Sequence, residues 1–216
     1  MKKAAIFDMD GLMFDTERLW KENWIRYAPK YGFEPEPGFP KEVCGTSGEN
    51  TLNVIRKFYP GIDAAAYRAD VRAGVSAATK DSVPEKEGLH EIVDFFRENG
   101  VKIAVASSSQ MSKIEHLLGL SGLKDSFDFV ISGESLTRGK PAPDIFLIAA
   151  ERIGVDPSDC YVLEDGMNGL LAGIAAGCAT IMVVDLTEPN DMLRDSCVGI
   201  YNSLLEVRDA IAAGEI

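Results

Sequence analysis

Ala4-Ala5-Ile6-Phe7-Asp8-Met9-Asp10-Gly11 is the stretch on which the reading of this chain turns. A strand-length apolar run leads into two carboxylates two residues apart, then a glycine. Such a run, bounded by turn residues, suits a buried parallel strand. Open α/β sheets take their ligands at the carboxyl ends of their strands, which is where Asp8 and Asp10 would stand. With strand geometry continued, the two side chains project to the same side. Like charges that close need a cation between them or a proton on one of them. Taken alone, Asp-x-Asp-Gly is also the composition of a solvated surface turn. The other strand ends therefore decide.

From Ser82 onward the pattern alternates. Helices are expected at Leu89–Asn99 (stopped by Gly100), Met111–Leu118, Asp144–Ile153 and Gly169–Ala176. Strands are expected at Val101–Ala106, Phe127–Ile131, Cys160–Leu163 and Thr180–Val184. Alternation of this kind predicts an α/β fold, a parallel sheet with helices on both faces. The first strand, residues 3–8, belongs to that sheet. Between them the texture is helical. Asp15 or Thr16 caps a helix through the Trp20, Trp24, Tyr27 stripe, ending near Tyr31-Gly32. Glu34–Pro40 reads as a loop, and helical patterns follow at 49–58 and 64–79. No strand signal appears between 15 and 81. The chain thus reads as an α/β core of residues 1–14 and 82–216 with an α-helical cap of residues 15–81 inserted after the first strand. Its hinges are expected near Phe14–Asp15 and Ser82–Lys86.

Three more polar clusters fall at expected strand ends: Ser107-Ser108-Ser109, Lys140-Pro141-Ala142-Pro143-Asp144 after a loop, and Glu164-Asp165-Gly166. Four such ends with compatible chemistry favour a site over a turn. Asp8, Asp10, Glu164 and Asp165 offer hard oxygen ligands. With no Cys or His joining them, the ion they suit is magnesium rather than zinc. Ser107 and Lys140 are donors fit for phosphate oxygens. Acids, a metal and a lysine around one point describe phosphoryl transfer. Each cluster has an ordinary alternative: an exposed loop lysine, a flexible serine turn, or acids at a helix N-terminus, a role Glu164-Asp165 could also fill. His90 and His116 sit in helical patterns away from the strand ends and read as structural.

Composition narrows the class. The chain has 216 residues and a formal net charge of −12, from 22 Lys+Arg against 34 Asp+Glu. That balance argues against nucleic acid and anionic membrane surfaces as partners. Cys44, Cys160, Cys178 and Cys197 show neither paired nor zinc spacing, which suits a reducing cytoplasmic setting. Asp8 and Asp10 cut the run after Lys2-Lys3 too short for a signal peptide, and no stretch has membrane-spanning length. A monomer is the expected state.

The motifs together resemble the haloacid dehalogenase superfamily, and within it the phosphatases and phosphomutases similar to β-phosphoglucomutase. The pieces that carry the likeness are Asp8-Met9-Asp10-Gly11-Leu12-Met13-Phe14-Asp15-Thr16, Ala106-Ser107-Ser108-Ser109, Gly139-Lys140-Pro141-Ala142-Pro143-Asp144 and Leu163-Glu164-Asp165-Gly166-Met167-Asn168-Gly169. They come in the family's order and cover the whole core. The resemblance implies a Rossmann-like core with the first strand near the sheet's centre and a helical cap that opens and closes over the site. It also implies an aspartyl phosphate on Asp8, with Asp10 as general acid and base whose backbone carbonyl binds Mg2+. Ser107 (hydroxyl) and Ser108 (backbone N–H) would hold phosphoryl oxygens, Lys140 would neutralise their charge, and Asp165 and Glu164 would complete the metal site. Thr16, Trp20 and Gly45 are the cap positions placed to meet substrate.

The chain also departs from those relatives. Trp20 stands where those like β-phosphoglucomutase carry a histidine, and Gly45-Thr46-Ser47 is followed by Gly48 rather than arginine. Gly166 stands in place of the usual serine or threonine. A mutase must hold a bisphosphate in two orientations, so the losses favour a magnesium-dependent phosphatase for a small phosphate ester, plausibly a sugar phosphate. The rivals are a phosphomutase using another cap cation (Lys41, Arg56, Arg72 or Lys80) and a non-enzymatic phosphate-binding module.

Overall fold

The computed structural model describes residues 1–216 other than Gly45 and Ser47, and of Lys41 only the backbone. It divides into two units, Met1–Phe14 with Pro84–Ile216, and Asp15–Val83.

The larger unit is built on a six-stranded sheet in the order β3-β2-β1-β4-β5-β6. The strands are β1 (Ala4–Phe7), β2 (Lys102–Ser107), β3 (Phe129–Ser132), β4 (Cys160–Glu164), β5 (Ala179–Val183) and β6 (Gly199–Tyr201), all paired in parallel. β1 lies inside the sheet between β2 and β4, and all four of its residues are buried. A strand covered on both faces has no use for alternation, hence the unbroken apolar run. On one face Ala4, Ile6, Ala104, Ala106 and Val162 pack with Phe146, Ala149 and Ala150 of α7 (Asp144–Ile153) and Ala172 of α8 (Met167–Ala175). On the other, Phe7 meets Phe96 of α5 (Leu89–Glu98) edge to face at 6.0 Å, and Phe96 lies 6.3 Å from Tyr161. α6 (Met111–Leu120) joins β2 to β3. α9 (Asp191–Ser196), β6 and α10 (Leu204–Ala213) follow the last strand expected from the sequence.

The smaller unit is helical. It contains α1 (Thr16–Tyr27), α2 (Phe39–Val43), α3 (Gly48–Phe58) and α4 (Ala64–Ala78). Trp24 of α1 is the centre of an aromatic cluster, 5.5 Å from Phe39 and 5.1 Å from Tyr67, and its carbonyl accepts the Tyr67 hydroxyl at 2.5 Å. Each large side chain buried this way contributes about 1.5–3 kcal/mol.

Three local expectations need correction. The first helix ends at Tyr27, and a 3-10 turn, Ala28–Tyr31, carries the chain to Gly32 at φ +80°. Asp15 sits at the N-cap position without capping, because its carboxylate takes Arg18 at 2.7 Å instead. The proline-rich loop gives way at Phe39 to α2, with Pro40 in the first turn, where a missing N–H costs nothing. None of the described helices is long and apolar enough to cross a membrane.

Candidate active site

Strand register brings the motifs together. Phe7 pairs with Val105 on one side and Leu163 on the other, so Asp8, Ala106 and Glu164 stand abreast just beyond that row. The Asp8 N–H donates to the Leu163 carbonyl at 3.0 Å, fixing its backbone at the sheet's carboxyl edge. Lys140 comes in from the loop before α7. Its ammonium donates to Asp8 Oδ1 at 2.5 Å, Glu164 Oε1 at 2.8 Å and the Ala106 carbonyl at 3.0 Å. Three acceptors match the three hydrogens of an ammonium. The Phe146 ring lies 4.8 Å from the same nitrogen and adds a cation–π contact.

These side chains are buried: 6% exposed for Lys140, 11% for Asp8 and 4% for Glu164. Burial pushes the Asp8 carboxyl up to about 7; Lys140 pulls it down, while Glu164 and Asp10 add to the rise. Burial works against charge on Lys140 too, but the Asp8 and Glu164 carboxylates outweigh it and hold the ammonium well above the usual lysine range.

Asp8, Glu164 and Asp165 offer carboxylate oxygens within 4.8 Å of one another. All three residues are buried, which gathers carboxylates out of water, and the Lys140 ammonium bridges two of them. A hard divalent cation suits both that charge and the oxygen-only donor set. Two glycines make the room. A Cβ on Gly11, at φ +90°, would run into the Asp165 carboxylate, and one on Gly169 into the Glu164 carboxylate. Glu164 Oε2 also accepts the Gly166 N–H at 2.7 Å, which fixes its carboxylate while Oε1 takes Lys140. Gly166 itself occupies the N-cap position of α8, so the Glu164 carboxylate meets the backbone at the start of that helix as well as Lys140.

Asp10 is arranged differently. Its Oδ2 accepts the Ser109 hydroxyl at 2.6 Å and its Oδ1 accepts the Lys113 ammonium at 2.6 Å. Its carboxylate is not in the three-acid cluster. From the sequence Ser109 was expected only as a member of the serine cluster, without a role of its own, and Lys113 was not expected at all. The available signal was a lysine in the first turn of α6, a helix with no acid there. Ser107 is buried at the end of β2, its hydroxyl accepting the Ser109 N–H at 3.1 Å, while Ser108 is exposed beside it. Of the cap positions, Thr16 is buried at the start of α1, and Trp20 is half-buried against Trp24, their centroids 6.0 Å apart. Gly45 lies outside the described residues.

A profile of haloacid dehalogenase-like hydrolases matches residues 2–177. The chain belongs to that family. Among its relatives, hexitol phosphatase B of Escherichia coli strain K12 is 33% identical over 195 residues, 87% of this chain and 86% of that protein. The bifunctional riboflavin kinase/FMN phosphatase of Arabidopsis thaliana is 28% identical over 210 residues, and the hydrolase chain described here spans 55% of its length. The crystal structure of β-phosphoglucomutase from Clostridium difficile matches with a TM-score of 0.81 at 22% identity, covering 100% of this chain and 97% of that one. That likeness establishes the shared α/β fold. The hydrolase is therefore an enzyme with phosphatases among its relatives, and its buried acids stand at the carboxyl edge of a six-stranded parallel sheet.

Proposed function

We propose that this hydrolase is a magnesium-dependent phosphatase of a small phosphorylated sugar or sugar alcohol, working through a phosphoryl group carried on Asp8. The observation that supports it most is the buried Lys140 ammonium bridging Asp8 and Glu164, with Asp165 close enough to share a cation. The name of the hexitol phosphatase relative supports the substrate class.

In this reading a carboxylate oxygen of Asp8 attacks phosphorus, and the bond to the ester oxygen breaks. The departing oxygen takes a proton from Asp10. A water then attacks phosphorus, its proton passes to Asp10, the bond to Asp8 breaks, and inorganic phosphate leaves. Lys140, already held against the nucleophile, offsets the charge on the phosphoryl oxygens, and Ser107 and the Ser108 N–H donate to them. Asp8, the Asp10 carbonyl, Glu164 and Asp165 would hold magnesium, which supplies Lewis-acid charge compensation at the phosphoryl group when bound. Hydrolysis is preferred over a mutase because Trp20 packs in the aromatic cluster and Arg56, one alternative cation, is engaged by Glu49 at 2.6 Å. Four cysteines with neither paired nor zinc spacing fit a reducing cytoplasmic setting, and a monomer is the default state.

Phosphorus NMR with magnesium and a panel of hexose and hexitol phosphates tests the reading, with Asp8→Asn alongside. The reading requires release of inorganic phosphate that the variant loses. Retained turnover in Asp8→Asn, or conversion of β-glucose 1-phosphate to the 6-phosphate without release, overturns it.

A further inference from the structure

Asp8 and Asp10 stand two residues apart, yet each has its own lysine. Lys140 contacts Asp8, Glu164 and Ala106. Lys113 contacts Asp10 at 2.6 Å and Ser109 Oγ at 3.2 Å. We propose that Lys113 and Ser109 form a positioning pair that fixes the Asp10 carboxyl group for proton transfer. This rests on the phosphatase reading above.

The placement of Lys113 argues for such a role. It is the third residue of α6, at the positive end of the helix dipole, where a cation is disfavoured; none of the first-turn residues is acidic, and the Glu134 carboxylate meets the helix end at the Met111 N–H while Lys113 turns to Asp10. The dipole alone therefore does not account for a lysine here. Its ammonium is only partly exposed, with 26% of the side chain accessible, and Asp10 is buried further at 17%. A half-buried pair is screened less than a surface pair and holds a more definite geometry.

Ser109 is anchored from both sides. The Ser132 hydroxyl at the end of β3 donates to the Ser109 carbonyl at 2.6 Å, and the Ser109 N–H donates to Ser107 Oγ at 3.1 Å. The hydroxyl that grips Asp10 Oδ2 is thus tied to the ends of β2 and β3. Lys113 takes Oδ1. With Ser109 on one oxygen and Lys113 on the other, rotation of the carboxyl group is restrained. The two lysines also divide the acids: the group that must attack phosphorus is held by one ammonium, and the group that must move protons by another.

The consequence is specific to proton transfer. In the first step the ester oxygen leaves Asp8-bound phosphorus and takes the Asp10 proton; in the second, water's proton goes to Asp10 as its oxygen bonds phosphorus. A nitrophenolate departs without needing a proton, whereas a sugar alkoxide does not. Loss of the positioning pair therefore slows both steps for a hexitol phosphate but only the second for 4-nitrophenyl phosphate.

The test uses the full chain with magnesium and the variants Lys113→Met, Lys113→Arg and Ser109→Ala, measured on glucitol 6-phosphate and on 4-nitrophenyl phosphate by steady-state and rapid-quench kinetics. Lys113→Met is expected to lower kcat on glucitol 6-phosphate roughly 10- to 100-fold, part of what a general acid–base group supplies, with KM changed less than about threefold. On 4-nitrophenyl phosphate it is expected to release about one nitrophenolate per enzyme in a fast burst before a slow steady rate. Lys113→Arg should recover part of the loss, and Ser109→Ala should show the same burst more weakly. An unchanged kcat in both Lys113→Met and Ser109→Ala, or equal slowing of the first turnover on both substrates with no burst, overturns the proposal. If Lys113→Met does not fold, Ser109→Ala decides by the same criteria. Asp8→Asn run in parallel separates the two failures, because retained turnover there sinks the phosphatase reading itself.

Discussion

Replacing Lys140 by methionine tests the centre of the site most directly. The stem is kept, so little cavity is created, but the ammonium is gone. Asp8 and Glu164, with side chains 11% and 4% exposed, would face each other as unpaired buried carboxylates. Removing one partner of a buried ion pair costs about 3–5 kcal/mol, chiefly because the remaining charge has neither water nor counter-ion. At about 2–4 °C per kcal/mol for a chain of this size, the midpoint of thermal unfolding should fall by roughly 6–20 °C. The comparison belongs at pH 8 in EDTA, where Asp8 of the parent, its carboxyl pushed up to about 7, is largely ionised; without the downward pull of Lys140 the variant's Asp8 rises further, and the cost of taking a proton there is part of the loss. At one magnesium concentration the gap between variant and parent should narrow, because the variant, with the competing ammonium gone, binds the cation more tightly; a hundredfold excess over the dissociation constant adds about 2.7 kcal/mol. Activity should not return with it, since the ammonium is also needed against the phosphoryl oxygens; a loss of about 100- to 1,000-fold in kcat is expected. Urea unfolding followed by circular dichroism, with and without magnesium, measures the stability part. A loss under about 1 kcal/mol in EDTA would refute the reasoning, because it would mean that the two carboxylates do not depend on Lys140 for their burial.

Other outcomes follow from the same geometry. Gly169→Ala should destabilise the protein by about 1–3 kcal/mol and weaken magnesium binding by titration calorimetry, because the added methyl meets the Glu164 carboxylate. Gly166→Ser should change the melting temperature by no more than about 2 °C, since a Cβ there lies an ordinary 3.5 Å from Glu164 Oε2. In EDTA, the upward displacement of Asp8 by burial means that the folded state holds its proton more tightly than the unfolded chain does. The stability this group contributes is therefore full below about pH 4 and lost as pH rises through about 7, and Asp8→Asn should flatten that part of the urea-midpoint profile. In the helical unit, Tyr67→Phe removes a buried hydroxyl from the Trp24 carbonyl and should cost about 1–3 kcal/mol in thermal unfolding.

What the sequence made legible is what local physics writes into it. β1 could be read from four apolar residues because a central parallel strand is buried on both faces. Gly11 and Gly169 sit where any Cβ would strike an acid of the site, so the glycines that mark the motifs have steric causes. The sixth strand was not legible: Gly199–Tyr201 has three residues, all only partly buried, too short for periodicity to register. α2 was hidden by Pro40 and the two prolines just before it, although Phe39 is fully buried. Outside the described residues, Gly45 stays an expectation only.

The grip on Asp10 shows most clearly where sequence reading stops. Asp10 meets Ser109 and Lys113 across 99 and 103 positions of chain, through the pairing of β1 with β2 and the first turn of α6. No single segment carries that information: Ser109 looks like one of three turn serines, and Lys113 like an ordinary helix residue. Only its place at the wrong end of the helix dipole sets it apart, and that becomes evident once the helix start at Met111 is fixed. The same logic explains why Lys140 was singled out and Lys113 was not. Lys140 taken alone reads as an exposed loop lysine, and it stood out because its segment joined three other polar clusters at strand ends. Lys113 lies in a helix that would form without it. A functional residue is conspicuous in sequence when it breaks a local pattern, and invisible when it only misplaces a charge within one.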